Sequence, residues 1–216
     1  MRFRIDLKIF LLIFLFYLTG QISQYLLMFI FVILHELGHL SVGILLGMKP
    51  VLLEMIPQGL RVEFKINAND YNKKVAKANR LVVKKILIAI AGPVTNIFII
   101  LMVINMSHNI FLQINIIYTN LVIIIFNILP IYPLDGGRIL KGVIYMLYGK
   151  RKAEKYINLI AFVSLIVLTF LASISIYYYK NIAILVIIIF LWCIHMMEDN
   201  KYRKKAKLYK EIDKII

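Results

Sequence analysis

His35 and His39 enclose Glu36 in the run His35-Glu36-Leu37-Gly38-His39, an H-E-x-x-H pattern. Residues four apart share one face of a helix, so the two imidazoles can hold a single zinc ion. The glutamate beside the first is then placed to act on a water at the metal. The motif lies inside residues 9–48, a stretch without Lys or Arg. A charged side chain at membrane depth costs about 2.5–3.5 kcal/mol on insertion scales, so Glu36 calls for a chemical reason. The competing reading is a polar cluster that joins helices.

Catalytic zinc takes three protein ligands and keeps one position open. His108 falls in a turn after an apolar run, and His195 reads as an interfacial residue beside Trp192. Asp135 is the better third ligand. It lies in Asn127-Ile128-Leu129-Pro130-Ile131-Tyr132-Pro133-Leu134-Asp135-Gly136-Gly137-Arg138, where two prolines prevent a regular helix and two glycines permit a sharp turn. Broken backbone at membrane depth is tolerated where it lines a cavity, which a metal site with substrate access needs. A plain helix stop would explain the glycines but not Asn127 and Asp135 together. Glu36 is the only acid inside the apolar runs, and Asp135 lies two residues past the end of the fourth.

The elements that must carry these residues are membrane helices. Of 216 residues, 62% are hydrophobic and 17% charged, against about half apolar in a soluble domain. Apolar runs long enough to span the hydrocarbon predict six transmembrane helices: two within 9–48, separated by a turn at Gly20-Gln21 and Ser23-Gln24, then 86–106, 116–133, 157–179 and 182–197. The basic N-terminus resembles a signal peptide, but no small-residue cleavage site follows, so it is expected to be a retained first span. One cysteine, Cys193, excludes an internal disulfide.

The formal charge of +15 gathers at the N-terminus, in 49–85, in 138–155 and in the tail, with Lys180 opposite. That asymmetry predicts a multi-pass bacterial membrane protein with both termini and the active-site opening on the cytoplasmic side. The charge reports orientation and attraction to the lipid bilayer, and no nucleic acid partner is expected.

The 49–85 segment is the one sizeable stretch outside the spans. Residues 61–66 alternate strictly and follow 51–56 across Pro57-Gln58-Gly59, which predicts a small cytoplasmic-side β-hairpin after the second helix. Asn69 or Asp70 would then cap a short basic helix through Lys74, Lys77 and Lys85 on the membrane surface. The expected class is an all-α polytopic membrane protein, with a core over 1–200 and a basic cytoplasmic tail over 201–216. Gly43 and Gly47 have the G-x-x-x-G spacing that lets another helix approach.

HELGH in the second span, AGPVTN (91–96) in the third and NILPIYPLDGGRIL (127–140) in the fourth resemble the site-2 protease family of intramembrane zinc metalloproteases. The resemblance runs through all six spans and includes Ile56-Pro57-Gln58-Gly59-Leu60-Arg61-Val62-Glu63 in the hairpin; its order and spacing are nearest to the sporulation members. It implies that His35, His39 and Asp135 bind one Zn2+ per chain, that Glu36 is the general base and acid, and that Asn127 positions substrate or stabilises the oxyanion. It further implies a transmembrane or membrane-associated protein substrate, most simply a pro-sigma factor, and membrane-protein inhibitors or regulators. The sporulation members typically carry a nucleotide-sensing CBS domain after the core, which is not expected in the sequence as it stands.

Within the protease class the alternative is a general site-2 protease that cuts anti-sigma factors or signal-peptide remnants. Outside it stand an inactive membrane binding protein and an ion transporter on the same scaffold. The hairpin edge is open to two readings, a strand-addition site for unwound substrate and a simple interfacial hairpin.

Overall fold

The computed structural model describes residues 2–5, 7–18, 20, 22–56, 59–65, 75–106, 110–179 and 183–215. Residues 66–74 and 107–109, with the cap at Asn69 or Asp70, Lys74 and the turn carrying His108, lie outside the described residues, as do Pro57 and Gln58. The chain divides into two compact units, Met1–Asn127 and Ile128–Ile216.

The first unit begins with strand β1 (Arg2–Ile5) and helix α1 (Lys8–Leu18). Eleven residues rise about 16 Å, half the hydrocarbon thickness. Gly20, at φ +68°, lies at the expected turn, whereas Ser23 and Gln24 fall inside the next helix. Helix α2 (Ile22–Leu45) is 24 residues long, enough to cross. It ends in a Schellman motif: Gly47 at φ +76° donates to Ile44 O at 2.8 Å, and Met48 donates to Gly43 O at 3.0 Å. Lys84 Nζ donates to Leu46 O at 2.7 Å, setting a cation on that negative helix end.

The hairpin forms as expected: β2 (Lys49–Ile56) pairs antiparallel with β3 (Gly59–Lys65), from Lys49↔Lys65 to Ile56↔Gly59. β1 adds a parallel edge, Arg2↔Leu52 through Ile5↔Met55. The alternation Arg2-Phe3-Arg4-Ile5 was a strand signal hidden by its brevity and its basic, signal-like setting. Among the described residues, Gly43 meets a strand and no helix, and Gly47 has nothing within 4 Å of a built Cβ. The Phe64 ring of β3 covers Gly43, where a Cβ would come within 2.2 Å of it. Met48, Leu81 and Ile88 form a core with Val42, Leu46 and Phe64, which seats the sheet on the helices.

Helix α3 (Val75–Ile104) is continuous over 30 residues. The basic segment through Lys85 is therefore the first turns of the third span, where a separate surface helix was expected. No Gly or Pro interrupts residues 75–91, so nothing local stops the helix there. Helix α4 (Ile110–Ile128) follows.

In the second unit, residues 129–134 are non-helical, as the prolines require, and the Tyr132–Pro133 peptide is cis. Helices α5 (Asp135–Tyr148), α6 (Lys150–Tyr179) and α7 (Ala183–Ile215) complete the fold. Ala153, Ile157, Ala161 and Leu165 recur every fourth residue of α6 and are all buried, giving a stripe for its neighbours. The pairs Thr169–Trp192, Asn158–Asp199 and Glu154–Lys205 set α6 antiparallel to α7.

Four helices are long and apolar enough to cross a membrane among the described residues: Ile22–Leu45, Arg80–Ile104, Ile110–Ile128 and Lys150–Ile174. The protein is a helical integral membrane protein with a three-stranded sheet. Of the other two expected spans, α1 has 11 residues, too few to cross, and α7 carries the last apolar run up to Met197, before charge begins at Glu198.

Candidate metal centre

α2 and α3 cross where their side chains are smallest. A Cβ on Gly38 would fall 2.1 Å from Thr95 Oγ1 and 3.1 Å from Ala91 O, so the glycine of HELGH meets the alanine and threonine of AGPVTN. The close crossing presses His35 and His39, 1% and 3% exposed, against α3. Their rings lie 4.7 Å apart, edge to face.

The protonation of both rings follows from the hydrogen bonds around them. Asn120 Nδ2 donates to Ile116 O at 2.9 Å, which orients its amide. Asn120 Oδ1 therefore accepts from Asn96 Nδ2 at 3.0 Å, and Asn96 Oδ1 is left to accept from His35 Nδ1 at 2.7 Å. His39 Nδ1 lies 2.6 Å from Ile88 O. The Gly92 N–H also points at that nitrogen from 3.2 Å. Ile88 O is nearer and offers only lone pairs, so the proton sits on Nδ1. In the neutral ring each Nδ1 then carries the proton and Nε2 the lone pair, the arrangement of a histidine prepared for a metal.

Both Nε2 atoms converge on Gly92. A Cβ built there would lie 2.5 Å from each of them and 2.4 Å from His39 Cε1. Glycine leaves this space open. Two imidazoles converging on a cradle that a methyl group would fill suit zinc, which takes imidazole nitrogen at about 2.0–2.1 Å. Glu36, one residue on from His35, is half-buried on α2.

Asp135 lies in the second unit. It is the first residue of α5 and 3% exposed, a position at the positive end of the helix dipole that suits an acidic side chain. Arg138 Nη1 approaches its Oδ1 at 3.5 Å, half-exposed itself. Gly136 and Gly137 are helical here and make no sharp turn. Their need for glycine is steric, since a Cβ on Gly136 would fall 2.0 Å from Ile128 O and one on Gly137 2.5 Å from Ile131 C. That close approach fixes where the carboxylate starts.

Asn127 ends the first unit, half-buried, and its Nδ2 donates to Ile123 O at 3.0 Å in its own helix. His195 is buried beside Phe162 and Trp192, with ring centroids 6.1 Å from each, in keeping with its expected setting near Trp192. The sequence reading gave no role to Asn96 or Asn120, both fully buried. The available signal was that an asparagine in an apolar run must find a partner.

The chain is similar to known proteins in sequence and in fold. Residues 103–171 match peptidase family M50. A zinc metalloprotease of Methanocaldococcus jannaschii is 32% identical over 138 residues, 61% of this chain and 37% of that protein. Stage IV sporulation protein FB of Bacillus subtilis is 28% identical over 139 residues, 62% of this chain and 43% of that protein. The chain thus spans less than half the length of these curated relatives. Among solved structures, a site-2 protease from Methanocaldococcus jannaschii superposes with a TM-score of 0.62 at 22% identity, covering 90% of this chain and 88% of that one. The chain is a membrane protein with a site-2 protease fold. The similarity to peptidase family M50 covers residues 103–171.

Proposed function

We propose that this protein is an intramembrane zinc metalloendopeptidase, in which His35, His39 and Asp135 hold one Zn2+. The observation that carries the reading is the convergence of the two Nε2 atoms on Gly92, beside a glutamate in H-E-x-x-H spacing. Bound zinc supplies a Lewis acid that polarises the scissile carbonyl and makes water more acidic. Glu36 takes the proton of the attacking water and delivers it to the leaving amine. Asn96 keeps His35 in its tautomer, and Asn127 positions the substrate. A substrate helix has to unwind first, because its scissile amide is otherwise held in an i to i−4 bond.

The substrate in this reading is a membrane-tethered pro-sigma factor cut during sporulation, supported by the similarity to stage IV sporulation protein FB; membrane-protein regulators would bind the same core. The topology is six crossings with both termini and the site's opening in the cytoplasm. The Lys and Arg clusters at the N-terminus, 49–85, 138–155 and 201–216 support that orientation. Residues 1–200 form the membrane core and 201–216 the basic cytoplasmic tail.

Co-expression with a membrane-tethered pro-sigma factor tests the proposal. Wild type is expected to shorten it, and Glu36→Gln to retain zinc without shortening it. Shortening of an anti-sigma factor or a signal-peptide remnant alone would keep the protease and replace the substrate. Equal shortening by wild type and Glu36→Gln would overturn the protease.

A further inference from the structure

The second unit contains a cavity of about 490 Å³ between α6 and α7. Phe162, Trp192 and His195 give it an aromatic wall, with the Phe162 and Trp192 rings 5.9 Å apart and edge to face. Lys155, Asn158, Asp199 and Arg203 give it a polar rim.

Its level along the helices is informative. The apolar run of α6 begins at Ile157, after Lys150, Arg151, Lys152 and Lys155; that of α7 ends at Met197, before Lys201, Arg203 and Lys204. Because the helices are antiparallel, the two boundaries coincide, and the cavity straddles them. In a bilayer this is the headgroup level, where tryptophan and lysine gather.

The charges at this level do not balance. Glu198 is paired with Lys201 at 2.6 Å, Asp199 with Arg203 at 2.6 Å and Glu154 with Lys205 at 3.2 Å. Lys155, Lys204 and Lys207 then remain without an acidic partner among the described residues. Arg203 is shared with a neighbouring hollow of about 410 Å³ lined by Asn200, Lys204 and Lys207. A surplus of cations above an aromatic wall, at the boundary of the hydrocarbon, is complementary to a phosphate esterified to an apolar chain.

We propose that the α6–α7 cavity binds one anionic phospholipid, its phosphate on Lys155, the rim cation without an acidic partner among the described residues, and its first acyl segment against Phe162 and Trp192. The site lies wholly in the second unit and does not depend on the metal centre. Trp192 is the single tryptophan of the chain, so it reports directly on occupancy.

The test reconstitutes the full chain in phosphatidylcholine nanodiscs and follows quenching of Trp192 by phosphatidylglycerol with brominated acyl chains, against phosphatidylcholine brominated in the same way. The anionic lipid is expected to associate more tightly by about fivefold for each cation engaged, and Lys155→Gln, an exposed substitution, to lose one such factor. Equal quenching by the two lipids in wild type would overturn the proposal, as would an unchanged preference in Lys155→Gln. Displacement of the brominated phosphatidylglycerol by millimolar inorganic phosphate would assign the site to a soluble phosphate compound and overturn it equally. None of these readouts requires proteolysis.

Discussion

Asn96 accepts the Nδ1 proton of His35 across 2.7 Å, and its own orientation is set through Asn120 by the backbone carbonyl of Ile116. A relay across three membrane helices thus ends in the tautomer of one imidazole. Asn96→Leu removes the acceptor and leaves polar groups of His35 and Asn120 buried. Zinc affinity, measured by competition with a chelator, is expected to fall about 10- to 100-fold. Asn96→Asp keeps an acceptor for His35 and should retain more zinc than Asn96→Leu.

Gly92→Ala places a methyl carbon where both Nε2 atoms point, 2.5 Å from each. The expected outcome is loss of bound zinc with helical content unchanged, read by metal analysis alongside circular dichroism. Zinc at the wild-type level in this variant would show that the two imidazoles do not converge there.

Gly38→Ala meets Thr95 Oγ1 at 2.1 Å and Ala91 O at 3.1 Å, forcing α2 and α3 apart at a cost of about 1–3 kcal/mol. Adding Thr95→Ala removes the nearer obstacle and should recover part of that loss. A thermal melt of both variants in one detergent checks the order: wild type, double variant, single variant.

The candidate metal ligands were legible in the sequence because polarity is rare in this chain. Glu36 stood out inside an apolar run and Asp135 just past the end of another, and the H-E-x-x-H spacing is itself a statement about one helix face. The hairpin was legible from alternation at 61–66. Less was legible where the cause is tertiary. Gly43 faces Phe64 of a strand, and no spacing rule separates that from a helix contact. Gly136 and Gly137 are glycines because backbone passes within 2.0–2.7 Å of where their Cβ atoms would be, a fact about residues 128–132. The run from Lys74 to Lys85 looked like a surface helix because basic composition was taken to end a span, whereas the backbone from Val75 continues without a break.

Asp199 lies beyond the apolar part of α7. Burial raises its carboxyl pKa, but hydrogen bonds from Asn158 and Arg203 and the charge of Arg203 outweigh that and hold it below the ordinary value. A carboxyl depressed in the folded state adds stability above the unfolded value, about 3.9, and loses it as pH falls through the lower folded value. The α6–α7 pairing should therefore weaken only below about pH 4. In Asp199→Asn that acid-dependent loss should shrink in pH-resolved thermal melts.

The most direct test of the metal centre is the zinc X-ray absorption spectrum of the purified full chain. The account predicts one equivalent of zinc in an all nitrogen and oxygen shell with two imidazoles at about 2.0–2.1 Å, falling to one imidazole in His39→Ala. A chain that takes up no zinc, or whose zinc spectrum is unchanged by His39→Ala, would contradict it.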